Sequence, residues 1–194
     1  MDIQFDLFEE QAAIVVSDSE GGIRYHPRCV PVDTAREWFQ KLLSEVPWRR
    51  LRRRMYERMI DVPRLIANFA LDAPERPVCL DAALHAVQRI AFAPYNRVGL
   101  NLYRDGQDSV APHGDRESNL VPGQPIAILS LGATRDMLIS AHAGGGSRRI
   151  SLVPGSLLVM SHASQATHLH GIPKCRAPVG ARISLAFRVR RGCD

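Results

Sequence analysis

The sequence is poor in several features that would assign it to common protein classes. Aromatic residues make up only 6% of its 194 residues. No apolar run approaches the roughly 18 residues that a membrane-spanning helix requires. The first residues, 1–6, are acidic, whereas a signal peptide begins with a basic segment. The sequence therefore predicts a cytoplasmic protein that does not enter a membrane.

Cysteine is also scarce, and its spacing is uninformative for metal binding. The cysteines lie far apart and form no Cys-x-x-Cys pair: Cys29, Cys79, Cys175 and Cys193. Structural zinc sites and disulfide frameworks both depend on closely spaced or regularly repeated cysteines. We therefore expect reduced cysteines with structural roles.

Positive charge is in excess and is concentrated in one place. The chain has 25 Lys and Arg against 20 Asp and Glu, and its isoelectric point is about 9.4. This balance favours polyanionic partners such as nucleic acid. The densest stretch is Arg49–Arg54, with apolar and aromatic residues beside it. Such a mixture can contact phosphates and stack on a base, and its candidate contacts are Trp48, Arg53, Met55 and Tyr56. We predict that these four bind substrate; the alternative is a solvated strand or turn.

Apolar periodicity predicts two helices followed by many short strands. One helix is expected from Asp33, a candidate N-cap, to Pro47, and a second over about residues 80–92. Candidate strands then follow at 98–104, 126–131, 136–140, 149–152, 157–162, 167–170 and 181–190. This order is typical of a mainly β, α+β fold: a double-stranded β-helix (jelly roll) buttressed by two N-terminal helices. We expect one domain over 1–194, with an N-terminal extension at 1–94 and the jelly-roll core at 95–190.

Two of the candidate strands have one polar face each. Side chains alternate across a strand, so Asn101 and Tyr103 point away from the apolar residues between them. In the last strand the same alternation groups Arg182, Ser184, Ala186 and Arg188. If these faces look into the barrel, they form a cationic pocket suited to a small dicarboxylate, which arginine can bind in bidentate fashion. The alternative is that both faces meet bulk water.

A histidine and a carboxylate two residues apart suggest a metal site. On an extended strand, His113 and Asp115 would share one face. Two histidines and one carboxylate can hold iron(II) and leave the remaining positions open. The spacing does not choose the third ligand among the downstream histidines, His142, His162, His168 and His170.

Several segments, in order, resemble the AlkB family of Fe(II)- and 2-oxoglutarate-dependent dioxygenases. Residues 95–106 followed by 113–117 are similar to its N-x-Y-x-x-G and H-x-D-x-D/E segments. Residues 129–135 and 154–160 resemble the strands that follow, His170-Gly171-Ile172-Pro173 its distal-histidine motif, and 182–188 its terminal R-x-N-x-T-F-R signature.

The resemblance implies both a site and a reaction. His113, Asp115 and His170 would be the catalytic iron ligands. The 2-oxoglutarate contacts would be Asn101, Tyr103, Arg182, Ser184 and Arg188, and Glu117 would approach the substrate base. The implied cofactors are Fe(II), 2-oxoglutarate and O2. The implied reaction is oxidative demethylation of alkylated DNA or RNA, which releases succinate, carbon dioxide and formaldehyde, by a protein expected to be a monomer.

The sequence also departs from the family. Ser184 and Ala186 replace the Asn and Thr of the terminal signature, at a cost of about 1 kcal/mol for each hydrogen bond lost. Residues 62–64 resemble the start of the nucleotide-recognition lid, but 66–72 lack its Tyr-rich segment. Two alternatives therefore stay open: an oxygenase acting on a protein or small molecule, and a catalytically silent nucleic-acid-binding jelly roll. A zinc hydrolase is disfavoured, because no general base is evident near the triad.

Overall fold

A computed structural model describes residues 12–55 and 58–192, without the side chains of 53–61. Its helices are α1 (Val32–Glu45), α2 (Cys79–Gln88) and the short α3 (Ala163–Thr167), with a 3-10 turn at Glu117–Asn119. Its strands are β1 (Ala13–Val16), β2 (Ile23–His26), β3 (Arg49–Met55), β4 (Arg58–Ala70), β5 (Arg97–Tyr103), β6 (Val110–His113), β7 (Ile126–Gly132), β8 (Arg135–Ala141), β9 (Arg148–Leu152), β10 (Leu157–Met160), β11 (His168–Ile172) and β12 (Arg182–Arg188). Within these residues no helix is long and apolar enough to cross a membrane.

The strands form two antiparallel sheets that enclose the site. The larger sheet has the order β1-β2-β10-β7-β12-β5-β4-β3, and the smaller one has the order β6-β11-β8-β9. Strand β12 lies between β7 and β5 and pairs with both along nearly its whole length. The predicted jelly roll, with two helices ahead of it, is confirmed.

Two apolar layers hold the fold together. The first lies between the helices and the outer face of the larger sheet, where Leu42 of α1 and Val87 of α2 pack with Leu100, Ile183 and Phe187. The second lies between the two sheets; its members include Ile128, Met137, Leu158, Ile172 and Ala186. Because side chains alternate across β5 and β12, each strand has one face in the helix-facing layer and one face towards the barrel interior. The prediction that the polar faces look inward is confirmed.

Some element boundaries differ from those expected. Asp33 does not cap α1, because Pro31 stands at the cap and Asp33 lies in the first turn, where it accepts a hydrogen bond from Arg36. Helix α2 ends at Gln88, where the sequence predicted a helix to about residue 92, and the chain then turns, which leaves Ile90 36% exposed.

The basic stretch and the segment after it form a hairpin. Residues 49–55 are strand β3, which pairs with β4, and β4 in turn pairs with β5. Arg49, Arg50 and Arg52 are exposed on this strand. The stretch is therefore an exposed strand at the edge of the larger sheet, next to the strands that carry the pocket.

Candidate active site

Two histidines lie side by side on neighbouring strands of the smaller sheet. His113 is the last residue of β6 and His170 lies in β11, and the two are direct partners in the antiparallel ladder. Their ring centroids are 4.5 Å apart. Directly opposed residues in such a ladder hold their side chains close together, so the sheet register brings the two imidazoles to one point.

Asp115 joins them from just beyond the end of a strand. Strand β6 ends at His113, so Asp115 lies two residues past the strand that was expected to carry both residues. Between them, a Cβ added at Gly114 would lie 2.8 Å from the carbonyl oxygen of Gln165, so the chain packs closely here. The two side chains still converge, and one ligand atom each from His113, Asp115 and His170 lies within 4.8 Å of the others.

The electrostatics keep the candidate ligands in the protonation states that metal binding needs. Burial raises the pKa of the Asp115 carboxyl, but Arg188 and the two histidines outweigh it, so the pKa lies below its ordinary value. Arg188 donates from Nε to Asp115 Oδ2 at 2.5 Å and from Nη2 to Oδ1 at 3.2 Å. Burial, with the charge of His113, lowers the pKa of His170 to about 4. A carboxylate and a neutral imidazole are ligand forms.

The other histidines left open by the spacing lie elsewhere. His142 is exposed, and His168 shares a hydrogen bond with Thr167 Oγ1 at 2.9 Å. His162 has a buried Nε2 that lacks a hydrogen-bond partner among the described residues. Within the described part of the chain, the metal-competent group is His113, Asp115 and His170.

A pocket extends from this group into the barrel. All the residues expected to contact 2-oxoglutarate line it: Asn101, Tyr103, Arg182, Ser184 and Arg188. Its apolar wall includes Ile128, Met137 and Ala186, of which Ala186 stands where the family signature has Thr. The cationic interior pocket expected from strand alternation is therefore present.

Arg182 is buried and incompletely paired. It is 1% exposed, and its Nη2 donates to Ser130 Oγ at 2.8 Å. Its Nε and Nη1 have no hydrogen-bond partner among the described residues. A buried guanidinium with two unused donors is suited to a carboxylate. Both histidines of the His-Asp-His group line the same pocket, so the residues fit a metal ion and a dicarboxylate together.

Tyr103 is held between two arginines. The guanidinium carbons of Arg182 and Arg135 lie 5.3 and 5.7 Å from its ring centroid. Arg135 is 3% exposed and donates to three backbone carbonyls, those of Asp105, Asp108 and Pro173. It thereby ties the loops after β5 and β11 to the pocket.

The same wall, formed by β5 and β12, also carries a polar network. Arg64 of β4 donates from Nε to Asn101 Oδ1 at 2.8 Å, and Asn101 Nδ2 donates to Ser184 Oγ at 3.4 Å. The expectation that Ser184 loses the hydrogen bonds of the family's Asn is thus only partly met, since its hydroxyl still joins the network.

Of the residues expected to bind substrate, the two whose side chains are described, Trp48 and Glu117, do not line the pocket. Trp48 is partly buried and packs against the helix-facing core, with its Nε1 buried. Glu117 is exposed at the start of the 3-10 turn. Tyr56 lies outside the described residues, as do the side chains of Arg53 and Met55.

Four polar residues of the site were not singled out from the sequence. Arg64 and Arg135 were read only as parts of family-like segments, Ser130 as part of a strand, and Gln165 not at all. Alternation along β7 places Ser130 on the face opposite the apolar Leu129 and Leu131, which could have indicated it. The others depend on contacts between distant segments.

Comparisons with known proteins agree with this geometry. The sequence profile described as the 2OG-Fe(II) oxygenase superfamily matches residues 22–188. The chain is 36% identical over 110 residues to a human protein named DNA oxidative demethylase ALKBH2, a match that covers 53% of this chain and 42% of that protein. It is 27% identical to the bovine alpha-ketoglutarate-dependent dioxygenase alkB homolog 3, over 94% of this chain and 72% of that protein. The chain thus spans less than half the length of the first of these relatives.

Solved structures support the fold. A prolyl-4-hydroxylase from Pseudomonas putida superposes with a TM-score of 0.56 at 18% identity, covering 88% of this chain and 93% of that one. OsALKBH1 superposes with a TM-score of 0.57 at 15% identity, covering 86% and 97%. The profile match covers most of the chain. The residues of the site also fit the cofactors of that superfamily, Fe(II), 2-oxoglutarate and O2. The chain therefore belongs to the 2OG-Fe(II) oxygenase superfamily, as an AlkB-like member.

Proposed function

We propose that this protein oxidatively demethylates N-alkylated bases of DNA or RNA, with His113, Asp115 and His170 as its iron ligands. The observation that carries the proposal is the convergence of ligand atoms of these three residues within 4.8 Å, at a pocket lined by both histidines and by a buried arginine that has two donors without a partner among the described residues. When bound, Fe(II), 2-oxoglutarate and O2 hydroxylate an N-methyl group, which leaves as formaldehyde, while 2-oxoglutarate becomes succinate and carbon dioxide.

The pocket residues divide the binding of the co-substrate between them. Arg182, with two guanidinium nitrogens that have no partner in the described part of the chain, binds the far carboxylate, and Tyr103 beside it fixes the orientation of that end. Asn101 and Ser184 are joined by a hydrogen bond on the same wall, so they offer polar atoms in fixed positions. Arg188 holds the Asp115 carboxylate through two hydrogen bonds, which keeps it ionised and limits its rotation.

A nucleic-acid substrate is supported by charge and by relatives. The net charge is +5, and the exposed Arg49 and Arg50 lie on β3, directly opposite residues 66 and 65 of β4. The adjacent residue of β4, Arg64, lines the pocket, so the basic edge strand is one strand removed from it. The relatives named DNA oxidative demethylase act on DNA, as their name states. Phosphate contacts along this edge would bring a base to the metal group.

Substrate contacts through Glu117, Trp48, Arg53, Met55 and Tyr56 stay predictions. Of these, Glu117 is the one whose described position, exposed and two residues after Asp115, suits contact with an exocyclic amine. Trp48 would have to leave its core contacts to stack on a base. A monomeric, cytoplasmic protein also stays a prediction.

The first test is an anaerobic titration of the apoprotein with Fe(II) and 2-oxoglutarate, monitored by the weak visible band of a chelated 2-oxo acid. We expect the band in wild type and in His142→Ala, an exposed histidine outside the metal group, and its loss in His170→Ala. Absence of the band in wild type would reject the oxygenase and favour the silent binding module.

The second test is turnover. We expect formaldehyde and succinate in equal amounts with N-methylated oligonucleotides, and far less succinate with unmethylated ones. If the band forms but methylated DNA and RNA yield no formaldehyde, the oxygenase acts on another class of substrate.

A further inference from the structure

One buried amide connects the two segments that carry the candidate metal ligands. Gln165 lies in α3 and is 3% exposed. Its Oε1 accepts a hydrogen bond from the backbone N–H of Asp115 at 3.1 Å, across 50 residues of sequence. Because α3 runs directly into β11, Gln165 and His170 belong to one continuous helix-strand unit. The Gln165 side chain therefore links the His113–Asp115 segment to the helix-strand unit that bears the third ligand.

The orientation of this amide is fixed by its other end. Gln165 Nε2 donates to Ser164 Oγ at 3.2 Å and to the Ser161 carbonyl at 3.4 Å. Ser161 Oγ in turn donates to Asp18 Oδ2 at 2.5 Å. With its nitrogen engaged in α3, the amide can present only its oxygen to Asp115. Rotation of the amide by half a turn would place Nε2 against the Asp115 N–H, and Oε1 against the Ser161 carbonyl oxygen. Neither pair can form a hydrogen bond.

Backbone packing at the same place confirms how close the two segments are. A Cβ on Gly114 would lie 2.8 Å from the Gln165 carbonyl oxygen, which is nearer than side-chain carbons approach. The residue between the two candidate ligands thus packs closely against the backbone of α3. This close approach brings the Asp115 N–H within reach of the glutamine.

We infer that Gln165 is a positioning residue for the metal site: its side-chain carbonyl fixes the Asp115 backbone, and so the carboxylate, relative to His170. The inference rests on the proposed ligand set. A purely structural role for Gln165, as an internal brace of α3, would use only its Nε2. The hydrogen bond from Asp115 to Oε1 distinguishes the two roles, because it leaves α3 and ends at the candidate ligand.

The test compares metal affinity in matched variants of the full chain, with Co(II) as an air-stable probe read by its visible absorption. Gln165→Met keeps the length of the side chain and removes both hydrogen-bonding functions, whereas Gln165→Glu keeps an oxygen acceptor for the Asp115 N–H. Gln88→Met is the control, because Gln88 also bonds a backbone carbonyl, that of Ala93, but does not line the pocket.

We expect Gln165→Met to bind Co(II) about 10- to 100-fold more weakly than wild type, as for other residues that orient metal ligands. Gln165→Glu and Gln88→Met should stay within about threefold of wild type on the same scale. Equal affinity of Gln165→Met and wild type would overturn the inference, and so would an equal loss in the Met and Glu variants. If wild type itself does not bind Co(II), the proposed ligand set fails instead.

A measurement on unsubstituted protein covers the case in which Gln165→Met does not fold. Amide hydrogen exchange of the apoprotein should find the Asp115 N–H protected, since it donates to a buried acceptor. Exchange of the Asp115 amide at the rate of an open loop would overturn the inference without any substitution.

Discussion

Replacing Arg182 with methionine should abolish stabilisation by 2-oxoglutarate while it leaves the stability of the apoprotein nearly unchanged. In the apoprotein the Arg182 guanidinium is buried, donates to Ser130 Oγ, and has two nitrogens without a hydrogen-bond partner among the described residues. Burial also lowers its pKa, which expresses the cost of keeping the charge there. Methionine has a similar length and no charge to desolvate. Removing incompletely paired buried charge in favour of apolar side chains is often neutral or stabilises proteins by about 1–4 kcal/mol.

The lost contacts reduce this gain. The hydrogen bond to Ser130 contributes about 1.5–3 kcal/mol and the contact with the Tyr103 ring about 1–2 kcal/mol. We therefore expect the apo form of Arg182→Met to melt within about 4 °C of wild type, on a scale of roughly 2–4 °C per kcal/mol for a chain of this size. The wild-type protein should gain about 2.7 kcal/mol at 2-oxoglutarate concentrations 100 times its Kd, and the variant should gain nothing.

The assay is thermal unfolding with and without 2-oxoglutarate, and the contrast is Arg188→Met. Arg188 pairs with the Asp115 carboxylate, whose side chain is 14% exposed, so its removal leaves a largely desolvated charge without its main partner and should cost about 3 kcal/mol in the apoprotein. A large loss of apo stability in Arg182→Met, comparable with that of Arg188→Met, would refute the view that Arg182 is held in reserve for a carboxylate. A retained thermal shift with 2-oxoglutarate would refute it equally.

Three further outcomes follow from contacts in the described structure. Arg135→Met removes three hydrogen bonds to loop carbonyls and should lower the free energy of unfolding by about 3 kcal/mol or more in urea titrations, and a loss below 1 kcal/mol would contradict the bracing role. Burial raises the pKa of Cys29 to about 11, so roughly one thiol in 1000 is ionised at pH 8. Iodoacetamide should then modify the partly exposed Cys175 before Cys29, and labelling of Cys29 as early as Cys175 would show that its helix-facing layer opens. Gly155→Ala, at a positive φ of 78° with a Cβ 2.2 Å from a backbone oxygen, should destabilise by about 1–3 kcal/mol, whereas the uncrowded Gly146→Ala should be near neutral by the same urea measurement.

Sequence alone predicted what depends on periodicity. The alternation in residues 181–190 identified both the apolar face of β12 and the polar face that carries Arg182 and Ser184. Choosing His170 over His168 needed the family resemblance, because both occupy the same face of one strand. These predictions need only local backbone geometry and the order of motifs.

What the sequence did not predict depends on contacts between distant segments. Asp115 was expected on a strand, but β6 ends at His113, and the segment at Gly114 packs closely against the Gln165 backbone. Gln165 and Arg135 are polar residues whose importance comes from partners 27 to 50 residues away. No local sequence pattern indicates them, because an isolated glutamine or arginine is common on a solvated surface as well as in a buried polar network.

The placement of β12 gives the molecule a way of keeping its pocket intact. The strand is central in the larger sheet, and its neighbouring residues serve in turn the helix-facing core and the pocket. A slip of one residue in register would turn Arg182 and Ser184 into the apolar layer and expose Ile183 to the barrel interior. Misregistered forms therefore pay for buried charge and lost apolar packing at once. Because the same strand contributes to both, the register that assembles the helix-facing core also assembles the co-substrate pocket.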